Sequence, residues 1–155
     1  MAIITANLGF PRIGPRRDLK TALEAHWASK TTEGQLLEAA EGLRAAAWAR
    51  QRALGLDHVP SNDFSLYDHV LDTSVMVGAI PDAYGWRGGE ADLATYFAMA
   101  RGTQGPAAED GCAHGHGGDG DLAALEMTKW FDTNYHYMVP ELVRGQTFEL
   151  TRAAT

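Results

Sequence analysis

An α/β fold with parallel strands is what this sequence predicts. Short β-branched, apolar runs alternate with longer stretches of helical periodicity. Apolar residues make up 45% of the chain and charged residues 21%, enough for a packed core and far from the composition of a disordered segment. The 155 residues hold about three strand–helix units, whereas a closed eight-stranded barrel takes about 200 to 250 residues. The chain is therefore either a small open sheet or part of something larger.

The elements follow in order. Residues 2–10 (AIITANLGF) read as a buried strand that runs into a loop punctuated by Gly9, Pro11 and Gly14. Pro15 suits the first turn of a helix, and Leu19, Leu23, His26 and Trp27 give that helix one apolar face. Thr32 and Gln35 form the signature of a capping box for a second helix, with Leu36, Ala40, Leu43 and Ala47 as its buried stripe and Gly55 as its stop. Residues 56–60 are a short strand candidate. A helix is expected through Leu66, Val70, Thr73 and Val77, ended by Pro81, and a shorter one over 91–100. Residues 102–121 are rich in glycine and lack any large apolar side chain, which predicts a surface excursion within a single domain spanning 1–155. Dense aromatic and β-branched content then returns, and a third buried strand is expected near 130–137.

Charge and composition narrow the function. Thirteen basic against 20 acidic residues give a net charge of −7, which opposes non-specific binding to nucleic acid or to an anionic membrane. No apolar run approaches the length of a membrane span, and the first residues lack the pattern of a secretory signal, so a cytoplasmic location is expected. Cys112 is the only cysteine, which rules out an intramolecular disulfide and a zinc site built on several cysteines.

Against this acidic background, Arg12, Arg16, Arg17 and Lys20 concentrate positive charge where a helix begins. Unpaired N–H groups and the helix dipole favour an anion at such a place, a phosphate or a polycarboxylate alike. The alternative is a set of solvated or locally paired surface bases. Lys129, inside an aromatic segment, either snorkels to the surface or meets an acidic partner. Asp132, Asn134 and His136 would share one face of a strand as a polar row, as a hydrogen-bonded network or as something of use. Asp63, Tyr67, Asp68, His69 and Asp72 form a second cluster, for which helix capping is a simpler account than a metal. Cys112, His114, His116, Asp119 and Asp121 are possible ligands, but they sit among glycines, and binding there would cost the ordering entropy of the loop.

Four stretches carry a resemblance: Leu8–Gly14 (LGFPRIG), Arg17–Lys20 (RDLK), Asp63–Leu71 (DFSLYDHVL) and Glu126–Glu141 (EMTKWFDTNYHYMVPE). In order and wording they resemble the N-terminal part of cobalamin-independent methionine synthase, over nearly the whole chain. The resemblance implies about the first three strand–helix units of an N-terminal (βα)8 barrel, or TIM barrel. It implies a family that transfers a methyl group from 5-methyltetrahydropteroyl-triglutamate to homocysteine without cobalamin. The folate's polyglutamate tail would be held by Arg17, Asp18, Leu19, Lys20 and Lys129, with Asp18 and Leu19 the poorer candidates for direct side-chain contact. The resemblance places zinc, the homocysteine site and the acid–base groups in a C-terminal half, and none of their ligand motifs occurs in these 155 residues. The expectation is thus a chain that is catalytically inactive by itself, completed by further chain or by a complementary subunit. Its alternatives are a non-catalytic binding or interaction module and a truncated product without function.

Overall fold

The computed structural model describes residues 3–103 and 121–151, which form four α-helices and a two-stranded sheet. The chain divides into two compact units, one up to Leu66 and the other from Tyr67 onward. Among the described residues, no helix is long and apolar enough to cross a membrane.

In the first unit, α1 (Asp18–Trp27) packs against α2 (Glu33–Ala53). Leu19 and Leu23 from α1 and Leu36 and Ala40 from α2 are buried, which is the helical spacing the sequence predicts. The capping box is present in both directions: Gln35 N–H donates to Thr32 Oγ1 at 3.3 Å, and Thr32 N–H donates to Gln35 Oε1 at 2.8 Å. At the other end Gly55 takes a φ of 86°, with Gly55 N–H bonded to Arg52 O and Leu56 N–H to Gln51 O. This pair of bonds is a Schellman motif and needs the left-handed residue that glycine supplies.

The expected strand over 2–10 is not formed across the described residues 3–10, of which 3–9 are exposed. Only Ala6 bridges, in parallel sense, to His58, and the 56–60 strand is reduced to that same bridge. Ile3, Ile4 and Leu8 are exposed, not buried. One parallel bridge supplies too few bonds to extend a ladder, and parallel strands gain most of their stability from burial on both faces.

In the second unit, α3 (His69–Met76) contacts α4 (Leu93–Arg101), and a hairpin of β1 (Met127–Lys129) and β2 (His136–Met138) packs on α3. Its core includes Leu71, Val75, Leu93, Tyr96, Met99 and Met138. Asp68 caps α3 and Asp92 caps α4, each through its carboxylate. Helix α3 stops at Met76, ahead of Pro81, and begins at His69, so Asp63 and Tyr67 are not one turn apart on it.

The sheet is antiparallel, with Met127 opposite Met138, Thr128 opposite Tyr137 and Lys129 opposite His136. The stretch expected as a single buried strand near 130–137 is therefore a turn over 130–135 and the start of β2. Trp130 N–H donates to Tyr135 O at 2.8 Å, and Thr133 closes the loop on Trp130 O through its N–H and its hydroxyl. Asp132 and Asn134 lie in that loop, so the polar row they were to form with His136 on one strand does not exist. The glycine-rich stretch falls almost wholly outside the described residues, and with it Cys112, His114, His116 and Asp119. At its base Thr103 and Leu122 pair through two backbone bonds of 2.8 and 3.0 Å.

Candidate functional site

The basic cluster at the start of α1 is built by a loop anchored from another part of the first unit. Phe10 N–H donates to Asp63 Oδ2 at 2.8 Å, and Arg12 Nη1 donates to Ser65 O at 2.7 Å. These bonds hold the Pro11–Gly14 turn against the 63–65 segment. Gly14 has a φ of 82°, and a Cβ there would lie 2.7 Å from Asp18 Oδ2 and 3.0 Å from Leu43 Cδ2. The resembling stretch Leu8–Gly14 thus has a structural reason for ending in glycine.

Arg17 is the N-cap of α1 with φ 62° and ψ 35°, the left-handed region, and makes no side-chain cap. A non-glycine residue there is strained by about 1 to 2 kcal/mol. Asp18 turns back on the loop: its Oδ2 accepts Arg16 N–H at 3.1 Å, and Oδ1 lies 3.5 Å from Arg16 Nη2. Leu19 is fully buried and its N–H donates to Ile13 O at 3.1 Å. Lys20 is exposed and lies 3.3 Å from Glu24 one turn on, the ordinary i,i+4 pair of a helix surface. Of the four motif residues, Arg17 and Lys20 therefore present cations outward. Asp18 and Leu19 shape the turn.

Lys129 is on the second unit, at the exposed end of β1. The surrounding aromatic segment is not buried either: Phe131 is 79% exposed and Trp130 47%. Trp130 meets Phe131 and Tyr137 edge-to-face, with ring centroids 5.1 and 5.5 Å apart. The lysine accordingly needs no snorkelling. His136 stands directly across from it on β2.

The hairpin is fixed by Asp68. Its Oδ2 accepts Leu71 N–H at 2.9 Å and Met138 N–H at 3.1 Å, while Oδ1 accepts the Tyr135 hydroxyl. Asp72, one turn on, accepts the Tyr96 hydroxyl at 2.5 Å, and that oxygen accepts Tyr67 N–H at 3.1 Å. The second acidic cluster is therefore structural, with Asp63 on the loop, Asp68 at the cap and His69 exposed. Among the described residues, no group of three His, Cys, Asp or Glu is placed to hold a metal.

Two of the larger cavities lie away from these residues. One of about 680 Å³ in the first unit is lined by Trp48, Arg52, Asp57 and Pro60 among others. Another of about 710 Å³ in the second unit is lined by Pro81, Arg87, Glu141 and Gln146 among others. Neither is lined by Arg17, Lys20 or Lys129.

Comparison with known proteins gives the chain its relatives. It is 69% identical over 155 residues to a 5-methyltetrahydropteroyltriglutamate–homocysteine methyltransferase of Caulobacter vibrioides, covering 97% of this chain and 20% of that protein. Its identity to the protein of the same name from Nitrobacter winogradskyi is 68% over 149 residues, covering 94% of the chain and 19% of the relative. For the Rhodopseudomonas palustris protein of that name the identity is 66% over 153 residues, covering 96% and 19%. The chain thus spans about a fifth of the length of these relatives. The family described as the cobalamin-independent synthase, N-terminal domain, matches residues 4–155. The chain belongs to that family.

Proposed function

We propose that this domain holds the polyglutamate tail of 5-methyltetrahydropteroyl-triglutamate for methyl transfer to homocysteine, the step that makes methionine. The relatives carry the two substrates in their name. The observation that carries the reading is the outward presentation of Arg17 and Lys20 at the start of α1, on a protein of net charge −7. An anionic chain of carboxylates is drawn to such a spot by fixed cations and by the helix dipole. Lys129 on the second unit supplies a further cation, Asp18 sets the backbone of the turn, and Leu19 anchors it in the core.

In this reading the 155 residues supply binding and no catalytic group. The chemistry belongs to a C-terminal domain or a complementary subunit acting in the cytoplasm. Zinc would activate the homocysteine thiol by favouring its thiolate. The described residues do not fit a zinc site. The same reading makes the chain about the first three strand–helix units of an N-terminal (βα)8 barrel. It is supported by the parallel sense of the Ala6–His58 bridge, whose partners are separated by α1 and α2.

Charge reversal tests the binding role in the whole natural polypeptide that carries this domain. K20E and K129E should each weaken triglutamate binding about fivefold or more and leave monoglutamate binding nearly unchanged. Equal losses for both ligands, or none, would overturn it.

A further inference from the structure

We propose that His136 is a further cation for the polyglutamate tail beside Lys129, one that takes up a proton as the tail binds; this rests on the tail-binding reading of Lys129. The hairpin register sets Lys129 opposite His136. Backbone bonds join Val139 N–H to Glu126 O at 2.7 Å and Trp130 N–H to Tyr135 O at 2.8 Å. Given the alternation of antiparallel pairs, Lys129 and His136 occupy a non-hydrogen-bonded position, where facing side chains are closest. Both are exposed. Among the described residues, neither has a carboxylate within ion-pair distance. Two potential cations side by side, with no protein anion between them, suit one acidic ligand better than they suit each other.

The imidazole is already oriented. His136 Nδ1 lies 3.2 Å from Asn134 O. A carbonyl can only accept, so Nδ1 carries the hydrogen and a neutral ring has a lone pair at Nε2. A lone pair repels a carboxylate. While that bond is kept, the ring meets the tail through Nε2 only after Nε2 gains a proton, which comes from solvent. Charged and titratable groups on the hairpin are Lys129, Tyr137, Asp132 and Tyr135 in its loop, and Glu126 just before β1. On α3, which packs against β2, they are His69, Asp72 and the cap Asp68. Asp68 is committed to Leu71, Met138 and Tyr135, and Asp72 to Tyr96.

The test is calorimetry with 5-methyltetrahydropteroyl mono- and triglutamate on the whole natural polypeptide. It is run near pH 8, where a histidine is ordinarily neutral, in buffers of different ionisation enthalpy. The wild type should take up protons with the triglutamate and not with the monoglutamate. H136Q should lose that uptake and about fivefold of the triglutamate preference, whereas H136R should keep the preference and lose only the uptake. A K129Q variant separates the two readings. If K129Q loses the preference while H136Q retains both preference and uptake, the role of His136 is overturned and that of Lys129 stands. If K129Q retains the full preference, the tail-binding reading of Lys129 fails, and this inference with it.

Discussion

Asp68 Oδ2 accepts the backbone N–H of Met138 at 3.1 Å, joining residues 70 apart in the chain. The same oxygen caps α3 through Leu71 N–H, and the other oxygen receives the Tyr135 hydroxyl. One carboxylate, 2% exposed, thus fixes the start of a helix, the last residue of the loop beyond Lys129 and the end of β2. An alanine there would leave the Leu71 and Met138 N–H groups without their acceptor. D68A should therefore cost about 3 to 4 kcal/mol, the loss of a cap plus an orphaned buried donor. Y135F removes a single bond and should cost about 1 kcal/mol. Urea unfolding of both variants checks the ratio; equal costs would mean that the carboxylate does no more than bind the tyrosine.

Arg17 carries a conflict between stability and charge. Its left-handed φ of 62° at the N-cap is a conformation that glycine adopts without penalty. R17G should raise stability by up to about 1 kcal/mol, since the extra freedom of glycine in the unfolded chain offsets part of the strain relief. It should also weaken triglutamate binding. Thermal melting and ligand titration on the same sample check both halves. A variant that melts lower would show that the Arg17 side chain makes contacts that outweigh its backbone strain.

How legible these features were differs by segment, for physical reasons. Helices α1 and α2 could be read because their stability is local: a capping box at Thr32, a glycine at 55 and apolar residues every third or fourth position. The hairpin could not, because period-two alternation over 130–137 does not show that a turn occupies 130–135 and that β2 begins only at His136. The local signal for the turn is Asp132-Thr133-Asn134, three turn formers in the middle of the aromatic run. Phe131 also sits at φ 50°, a conformation no composition rule would assign to phenylalanine. At the candidate site, the cations Arg17, Lys20 and Lys129 were visible as charges in odd places. The pairing of Lys129 with His136 is set by tertiary register, and Asp68 acts over 70 residues, so neither has a local signature.

Acid should loosen the attachment of the N-terminal segment. Thr5 N–H and Thr5 Oγ1 donate to Asp57 Oδ2 at 2.8 and 2.9 Å, and these bonds hold the Asp57 carboxyl below the usual carboxylate range, with a smaller contribution from His58. A carboxyl with a depressed folded value contributes stability above its unfolded value, near pH 4, and loses it as pH falls through the folded value. The same holds for Asp92, whose carboxyl is held low by Thr95 at the start of α4. Protection of the Thr5 amide against exchange should therefore fall as the pH drops below the ordinary carboxylate range. In D57N that protection should be weak throughout and nearly independent of pH. A pH profile unchanged by D57N would remove Asp57 as the cause.

The apolar groups left outside the two cores make a last prediction. Ile3, Ile4 and Leu8 are exposed on the first unit, and Phe131, Phe148 and Leu150 on the second. The segment carrying Leu8 is bridged only at Ala6, which leaves most of its backbone groups open to pairing. Purified as 155 residues, the chain should self-associate, because unpaired edges and clustered apolar side chains template contacts between copies. Sedimentation across a hundredfold range of concentration reads this directly. L8E and F131E should each shift the equilibrium toward monomer without lowering the melting temperature, since neither side chain belongs to a core. A wild-type chain that stays monomeric across the whole range would show that these residues are covered from within.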